Sequence, residues 1–297
     1  MIVPLDQRPR SGPYSGLTVN SLKRFLMTQF QEAGLETPDV DARLLVMAAT
    51  GFTHTDIITR GTEFPPAAIF DIIADYAQRR LAGEPIDHIL GYREFYGRRF
   101  NVSKDVLSPR PETEMLIEAA LENLKDKMEP KILDLGTGSG AIAISILAEV
   151  NDAQGLAVDM SSTALDIARE NAAQHNAADR LTFLQGSWFE PVTGRFDIIV
   201  SNPPYITDAA MMELAPEVTG FDPDMALRGG ADGLDAYREI ISKASNYLKA
   251  DGILLFEIGY DQGQSVSKLL KARNFTQIVT SQDLAGHDRM IKAAYRA

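Results

Sequence analysis

The segment Lys131-Ile-Leu-Asp-Leu-Gly136-Thr-Gly138-Ser-Gly140 leaves this chain few choices of fold. An apolar run of strand length feeds into glycines at alternate positions, and the helical pattern Ala141–Val150 follows at once. Glycine permits the tight turn and lets backbone approach a ligand, while the helix N-terminus presents free N–H groups, so this is a nucleotide-cofactor loop. Its Gly-x-Gly-x-Gly spacing lacks the third glycine position of the dinucleotide fingerprint Gly-x-Gly-x-x-Gly. Asp134, just before the first glycine, would repel a pyrophosphate but suits a ligand carrying a cationic amino-acid group, which favours S-adenosyl-L-methionine over NAD. Gly136, Thr137, Gly138, Ser139 and Gly140 are the candidate cofactor loop. A second strand, Gly155-Leu-Ala-Val-Asp159, ends in an acid 19 residues after Gly140, near the spacing at which a carboxylate takes ribose hydroxyls. Asp159, with Met160 beside it, is the candidate ribose ligand; the competing role for Asp159 is a cap on the helix Ser162–Gln174.

A second motif sits at the end of the apolar run Phe196–Ser201. The tetrapeptide Asn202-Pro203-Pro204-Tyr205 is suited to holding a planar amino nitrogen. The Asn side-chain oxygen and the following carbonyl can accept both N–H bonds of an sp² –NH₂ group, two prolines stiffen the turn, and Tyr205 offers a ring. Such a nitrogen is a poor nucleophile; acceptors that orient its lone pair and stabilise developing positive charge act by positioning and electrostatics, with no side-chain base. The bland alternative is an Asn-Pro turn leaving a strand.

From Pro111 onward helical and strand patterns alternate, with strands expected at 131–135, 155–159, 181–185, 196–201, 253–258 and near 276–280 and 289–295. Helices are expected at 112–127, 140–149, 162–175, 233–249 and 262–273. This is a doubly wound α/β pattern, and ligands in such sheets bind at the carboxyl ends of the strands, where the glycine loop, Asp159, Ser187-Trp188 and Asn202 all fall. Residues 17–90 read instead as a small helical bundle, with Ser21–Ala33 carrying Leu22, Phe25, Leu26 and Phe30, Val40–Thr50 carrying Leu44, Leu45 and Met47, and Pro66–Leu81 carrying Ile69, Ile72, Ile73 and Tyr76. Residues 91–110 read as a β-hairpin linker, and residues 1–16, rich in Pro and Gly, as a mobile tail.

These motifs carry a resemblance. With Gly83-Glu-Pro-Ile-Asp-His-Ile-Leu-Gly91, Arg93-Glu-Phe-Tyr-Gly97, Pro109-Arg-Pro-Glu-Thr-Glu114, Phe221-Asp-Pro-Asp-Met-Ala-Leu227, Gly229-Gly230 and Gly286-His-Asp-Arg289, the chain resembles the release-factor glutamine methyltransferases of the PrmC/HemK type over roughly residues 17–297. The resemblance implies a seven-stranded Rossmann-like methyltransferase sheet at 111–297 and transfer of a methyl group from S-adenosyl-L-methionine, leaving S-adenosyl-L-homocysteine. The acceptor it implies is the side-chain amide nitrogen (N5) of the glutamine in the Gly-Gly-Gln motif of peptide chain release factors. Asn202, Pro203 and Tyr205 become the catalytic residues, with Pro204 completing the substrate cradle. The helical domain would recognise the release factor or serve only as a structural cap, and Pro109–Thr113 would line the mouth of the cofactor pocket or form a rigid helix entry. The chain departs from the family pattern at Ser187, where an Asp often bonds the adenine amine; a hydroxyl can still accept, without charge assistance. Trp188 beside it is open to two roles, adenine contact and core packing. Phe221-Asp222-Pro223 stands where the family frequently shows Glu before Pro, which keeps the charge.

Composition narrows the alternatives. Residues 1–110 hold 13 Lys+Arg and 13 Asp+Glu, whereas residues 111–297 hold 16 and 28, so the whole net charge of −12 lies in the catalytic part. An acidic domain repels duplex phosphates, which disfavours direct DNA binding and with it the alternative acceptor for Asn-Pro-Pro-Tyr, the exocyclic amine of a nucleic-acid adenine. A non-catalytic module that binds an adenosyl ligand or a partner is a further alternative, disfavoured because both motifs are intact. Arg93, Arg98, Arg99, Lys104 and Arg110 form the nearest thing to a basic patch, a solvated hairpin face or a partner-docking surface. With no Cys there is neither a disulfide framework nor a thiolate site. His54, His88, His175 and His287 lack ligand spacing and read as surface or capping groups, so no metal is expected. No apolar stretch approaches the length of a membrane span or a secretion signal, and the expected location is cytoplasmic, with release factors as partners and no membrane.

Overall fold

In a computed structural model, which describes residues 13–214 and 220–296, the chain divides into two compact units, one ending at Gly91 and the other starting at Tyr92. The smaller unit holds α1 (Val19–Glu32), α2 (Pro38–Thr50), α3 (His54–Thr59), α4 (Ala68–Leu81) and α5 (Ile86–Leu90). Its helix ends are specified locally. Thr18 caps α1 by accepting from the Ser21 N–H, Thr53 and Asp56 form a reciprocal capping box on α3, and Gly51 closes α2 in a left-handed conformation. Leu22, Leu26 and Phe30 of α1 meet Leu45, Val46, Ile57, Ile73 and Ala77 in one core. Ile72, expected among the core positions of α4, is 38 % exposed, because adjacent helical positions are 100° apart and Ile73 holds the inward one.

Three expectations change here. Residues 1–12 of the segment read as a tail lie outside the described residues, but Tyr14 is buried, donates to Gln29 Oε1 at 3.0 Å and stacks edge-on with Phe25. His88, read as a surface group, is buried on α5. The stretch 91–110 is more than a linker. Its hairpin, β1 (Tyr92–Phe95) paired with β2 (Arg98–Asn101), sends Phe95 and Phe100 into a core shared with the following helices. Val102 and Val106 pack on Ala164, while Asn171 brackets Asn101 with bonds to both its N–H and its carbonyl.

The larger unit continues with α6 (Glu114–Leu124), β3 (Lys131–Leu135), α7 (Ala141–Glu149), β4 (Gln154–Asp159), α8 (Ser162–Gln174), β5 (Leu181–Gln185), β6 (Phe196–Ser201), α9 (Asp208–Met211), α10 (Asp224–Leu227), α11 (Asp235–Tyr247), β7 (Leu248–Glu257), α12 (Gly263–Ala272), β8 (Phe275–Gln282) and β9 (Asp288–Tyr295). Seven strands run in the order β5-β4-β3-β6-β7-β9-β8. Neighbours from β5 through β7 pair in parallel, and β9 alone runs against them, between β7 and β8. The central strands are buried on both faces and sort their side chains by alternation. Ile198 and Val200 join the α6 and α7 layer, whereas Ile199 joins the α11 and α12 layer. The chain leaves β3 toward β4 and β5, then returns to β6 on the other side, so the topological switch lies between β3 and β6, where a doubly wound sheet opens a crevice at its carboxyl edge.

Candidate active site

The glycine turn after β3 is built by backbone. Gly136, Gly138 and Gly140 take φ of +71°, +54° and +79°, a region other residues enter only with strain. The Gly136 and Thr137 N–H groups both donate to the Val158 carbonyl, at 2.8 and 3.0 Å, which ties the turn to the end of β4. Asp159 then closes the loop. Its Oδ2 accepts from the Gly138 N–H and its Oδ1 from the Ser161 N–H, each at 2.9 Å, leaving other lone pairs for a ligand. Burial pushes the Asp159 carboxyl up, while the Ser161, Gly138 and Met160 N–H groups pull it down. Asp134 is fully buried beneath the loop and accepts from the Thr137 hydroxyl at 2.7 Å. Burial pushes its carboxyl up to about 7. It acts on the loop from below and does not line the cleft. The helix cap on α8 falls to Ser161, which accepts from the Ala164 N–H, so Asp159 is not the cap.

At the end of β6 the chain turns through Asn202-Pro203-Pro204-Tyr205. The Ser201 hydroxyl donates to the Leu135 carbonyl at 2.6 Å, locking the turn beside the glycine loop. Beyond Tyr205 the backbone is pinned by the segment containing Phe221–Gly230. The Ile206 N–H donates to the Leu227 carbonyl, the Gly229 N–H to the Ile206 carbonyl, and Gln262 Nε2 to the Tyr205 carbonyl at 3.0 Å. Behind the turn lies a chain of side-chain bonds. Asn202 Nδ2 reaches Thr113 Oγ1 at 3.5 Å, the Thr113 hydroxyl donates to Glu257 Oε2 at 2.5 Å, and the Tyr205 hydroxyl donates to Glu257 Oε1 at 3.4 Å. Glu257 is 3 % exposed at the end of β7. Burial pushes its carboxyl up to about 7, opposed by the Thr113 hydroxyl and by the charge of Arg289. Burial and the Glu257 charge push the Tyr205 phenol up to about 12, so it stays protonated.

One cleft, partly open to solvent, runs between these two structures. Gly136, Thr137, Gly138, Ser139, Asp159, Met160, Trp188, Asn202 and Pro204 line it. Gly140, Ser187, Pro203 and Tyr205 do not. Gly140 is turned inward, where a Cβ would meet Ile144 Cδ1 at 2.8 Å and Ala168 Cβ at 3.2 Å. Ser187 is half-buried and donates its N–H to Glu190 at 3.4 Å, and Tyr205 packs into the core behind the turn. Trp188 combines two roles, lining the cleft over Gly136 and packing on the core below. Pro109 and Thr113 line the cleft, as do Pro223, Met225 and Ala226 of the Phe221–Leu227 motif, which had been given no site role, and Asp105–Leu107 and Ser161, which no motif contained. Glu257 was passed over as well, although an acid closing a strand at the sheet's carboxyl edge is the same signal that marked Asp159. Among the described residues no helix is long and apolar enough to cross a membrane, and no group of three His, Cys, Asp or Glu side chains is placed to hold a metal ion.

Comparison with known proteins agrees with the geometry. Residues 112–218 match the Methyltransferase small domain family, and residues 23–91 match the PrmC N-terminal domain family. The crystal structure of a methyltransferase from Pyrococcus furiosus shares the fold, with a TM-score of 0.50 and 15 % identity over 75 % of this chain and 100 % of that one. The chain is 42 % identical over 264 residues, 89 % of its length and 91 % of the relative's, to the release factor glutamine methyltransferase of Caulobacter vibrioides. It is 41 % identical over 287 residues, 95 % and 97 % of the two lengths, to that of Bradyrhizobium diazoefficiens. Identity of this depth across both units, on a sheet whose switch point carries a glycine loop and an Asn-Pro-Pro-Tyr turn in one cleft, makes the chain a methyltransferase belonging to the release factor glutamine methyltransferase family.

Proposed function

We propose that this protein transfers a methyl group from S-adenosyl-L-methionine to the side-chain amide nitrogen (N5) of the glutamine in the Gly-Gly-Gln motif of peptide chain release factors. The observation that carries the reading is that the glycine loop, Asp159 and Asn202 line a single cleft, so a cofactor held by the first two would present itself to an acceptor held by the third. The residues fit such a cofactor. A Cβ on Gly138 would meet nothing within 4 Å, which leaves an open cradle of backbone at the helix N-terminus, and Asp159 has carboxylate lone pairs for ribose hydroxyls. Trp188 offers an apolar wall for the adenine.

When bound, S-adenosyl-L-methionine supplies an electrophilic methyl on a sulfonium. The protein supplies position and electrostatics. In this reading the Asn202 Oδ1 and the main-chain carbonyl that joins Pro203 to the cleft-lining Pro204 accept the two N–H bonds of the glutamine amide and turn its lone pair toward the cofactor side. Positive charge growing on nitrogen strengthens both bonds, so the contacts stabilise the transition state more than the bound substrate. No side-chain base is required, since the methylated nitrogen sheds its proton readily. Tyr205 supports the turn from behind through Glu257 and its main-chain bond to Gln262. The unit ending at Gly91 is proposed to recognise the release factor, in line with the match to the PrmC N-terminal domain family.

The test is incubation with S-adenosyl-L-methionine and a purified release factor, or separately unmethylated DNA, followed by mass spectrometry of peptides and nucleosides. A mass gain of one methylene on the glutamine of the Gly-Gly-Gln peptide is the expected result. Methyl-adenine with unmodified peptide would overturn the acceptor and leave the Asn-Pro-Pro-Tyr chemistry standing.

A further inference from the structure

We infer that Thr113 and Glu257 form a positioning pair that dictates which end of the Asn202 amide faces the cleft. The inference rests on the reading of Asn202 as the group that holds an –NH₂ acceptor. For that task orientation is decisive. The oxygen and nitrogen of a primary amide are nearly the same size, and a half-turn about the last side-chain bond would aim –NH₂ at –NH₂, donors against donors. Something beside Asn202 must break this symmetry.

Thr113 does so because its single hydroxyl proton is committed. It goes to Glu257 Oε2 across 2.5 Å, a charge-assisted bond that an amide oxygen cannot outbid. Thr113 therefore has only lone pairs left to offer, and Asn202 answers with Nδ2, now 3.5 Å away, leaving Oδ1 for the cleft. A contact of this length is of the kind that tightens when substrate seats. Glu257 suits the task because an ionised carboxylate can only accept. Above about pH 7 it is in that form: burial, the largest influence, and the charge of Glu112 push the carboxyl up, while the Thr113 and Tyr205 hydroxyls that donate to it and the Arg289 charge favour ionisation. Thr113 and Glu257 are 2 % and 3 % exposed, so water offers no competing proton. Donation thus runs in one direction, from Asn202 to Thr113 to Glu257. The helix-entry motif, the acceptor motif and the end of β7 converge on it.

The experiment compares wild type, Thr113→Val, Thr113→Ser and Glu257→Gln in steady-state methylation of a release factor, at a pH well above the Glu257 titration at about 7. Binding of S-adenosyl-L-homocysteine is measured by calorimetry on each. Thr113→Val is expected to lose roughly 10- to 10²-fold in kcat, with cofactor affinity within about twofold of wild type. Thr113→Ser keeps the hydroxyl and recovers most of the loss. Glu257→Gln, whose amide can donate to Thr113 and free its proton to point at Asn202, loses about as much as Thr113→Val. Wild-type kcat in Thr113→Val or Glu257→Gln, or equal impairment of Ser and Val at position 113, would overturn the pair. The Asn202 side-chain amide resonances provide a readout that needs no substrate. They are expected to shift in Thr113→Val and to stay in Thr113→Ser, and unshifted resonances in Thr113→Val overturn the pair as well. A wild type inactive on release factors would overturn the acceptor assignment, while these resonances would still decide the pair.

Discussion

The two rims of the cleft are made of different material. The glycine-loop rim is largely backbone: positive-φ glycines, N–H groups tied to the Val158 carbonyl, and one carboxylate, Asp159, held by two main-chain donors. The Asn202 rim is backed by a string of side chains, Asn202, Thr113, Glu257 and Tyr205, drawn from three separate stretches of chain. A backbone rim tolerates most local substitution because its donors are not side chains, yet it is intolerant of Cβ atoms. A side-chain rim behaves the other way: each member can be deleted without disturbing the fold's hydrogen-bond ladder, and on the proposed mechanism each deletion takes chemistry with it.

Substitutions can break this contrast. The largest effect is expected for Asn202→Ala, with kcat falling on the order of 10²- to 10³-fold, as when a preorganised polar contact is removed, and cofactor affinity little changed. A comparable loss of cofactor binding, measured by calorimetry, would erase the distinction between the rims. Next comes the buried acid. Because the folded state raises Glu257 from its ordinary 4.5 to about 7, it binds the proton more tightly than the unfolded chain does. The stability this contributes is fully present below the unfolded value and is lost as pH rises through about 7, up to about 3 kcal/mol in all. The stability of wild type relative to Glu257→Gln should therefore fall in urea melts between about pH 5 and about pH 8; a constant difference would mean that Glu257 titrates as in water.

Two glycines sharpen the contrast further. A Cβ on Gly229 would meet Tyr205 Cα at 2.8 Å, Pro204 O at 2.9 Å and Gly233 Cα at 2.9 Å, all backbone with no flexible end to yield. Gly229→Ala should cost about 1–3 kcal/mol in thermal or chemical melts and lower kcat by displacing the acceptor turn, with cofactor affinity preserved. Gly138→Ala meets open space but keeps φ at +54°, so its stability cost is smaller, about 1–2 kcal/mol. Its methyl group enters the cleft, and the expected kinetic signature is the opposite one: weaker cofactor binding with kcat at saturation nearly intact.

The same difference in material explains what could be read in advance. The glycine rim is contiguous in sequence, and Asp159 follows at a fixed spacing, so pattern alone placed residues 136–139, 159 and 160 in one cleft. The doubly wound sheet was equally legible, because strands buried on both faces read as apolar runs such as Ile198–Val200. The Asn202 rim was half legible. Its tetrapeptide is local, but Thr113 and Glu257 are separated by 144 positions, and only the packing of the turn before α6 against the end of β7 makes them partners. Ser187 and Tyr205 show the converse failure. Sequence puts them next to the lining residues Trp188 and Pro204, but Ser187 donates its N–H to Glu190 and Tyr205 packs on the core behind the turn. The hairpin was legible as a hairpin but not as part of a core, since alternation shows which residues share a face and not what covers them.

The reversed strand β9 has a consequence for the order of events during synthesis. It lies between β7 and β8 and is translated after every other strand of the sheet. Until residues 288–295 emerge, β7 has an open edge, β8 has no neighbour, and the end of β7 that bears Glu257, paired across to Met290, is unsupported. The helical unit ending at Gly91 encloses its own core and can fold while the rest is still being made. The end of β7 that bears Glu257 is therefore framed by strands on both sides only once β9 has been made.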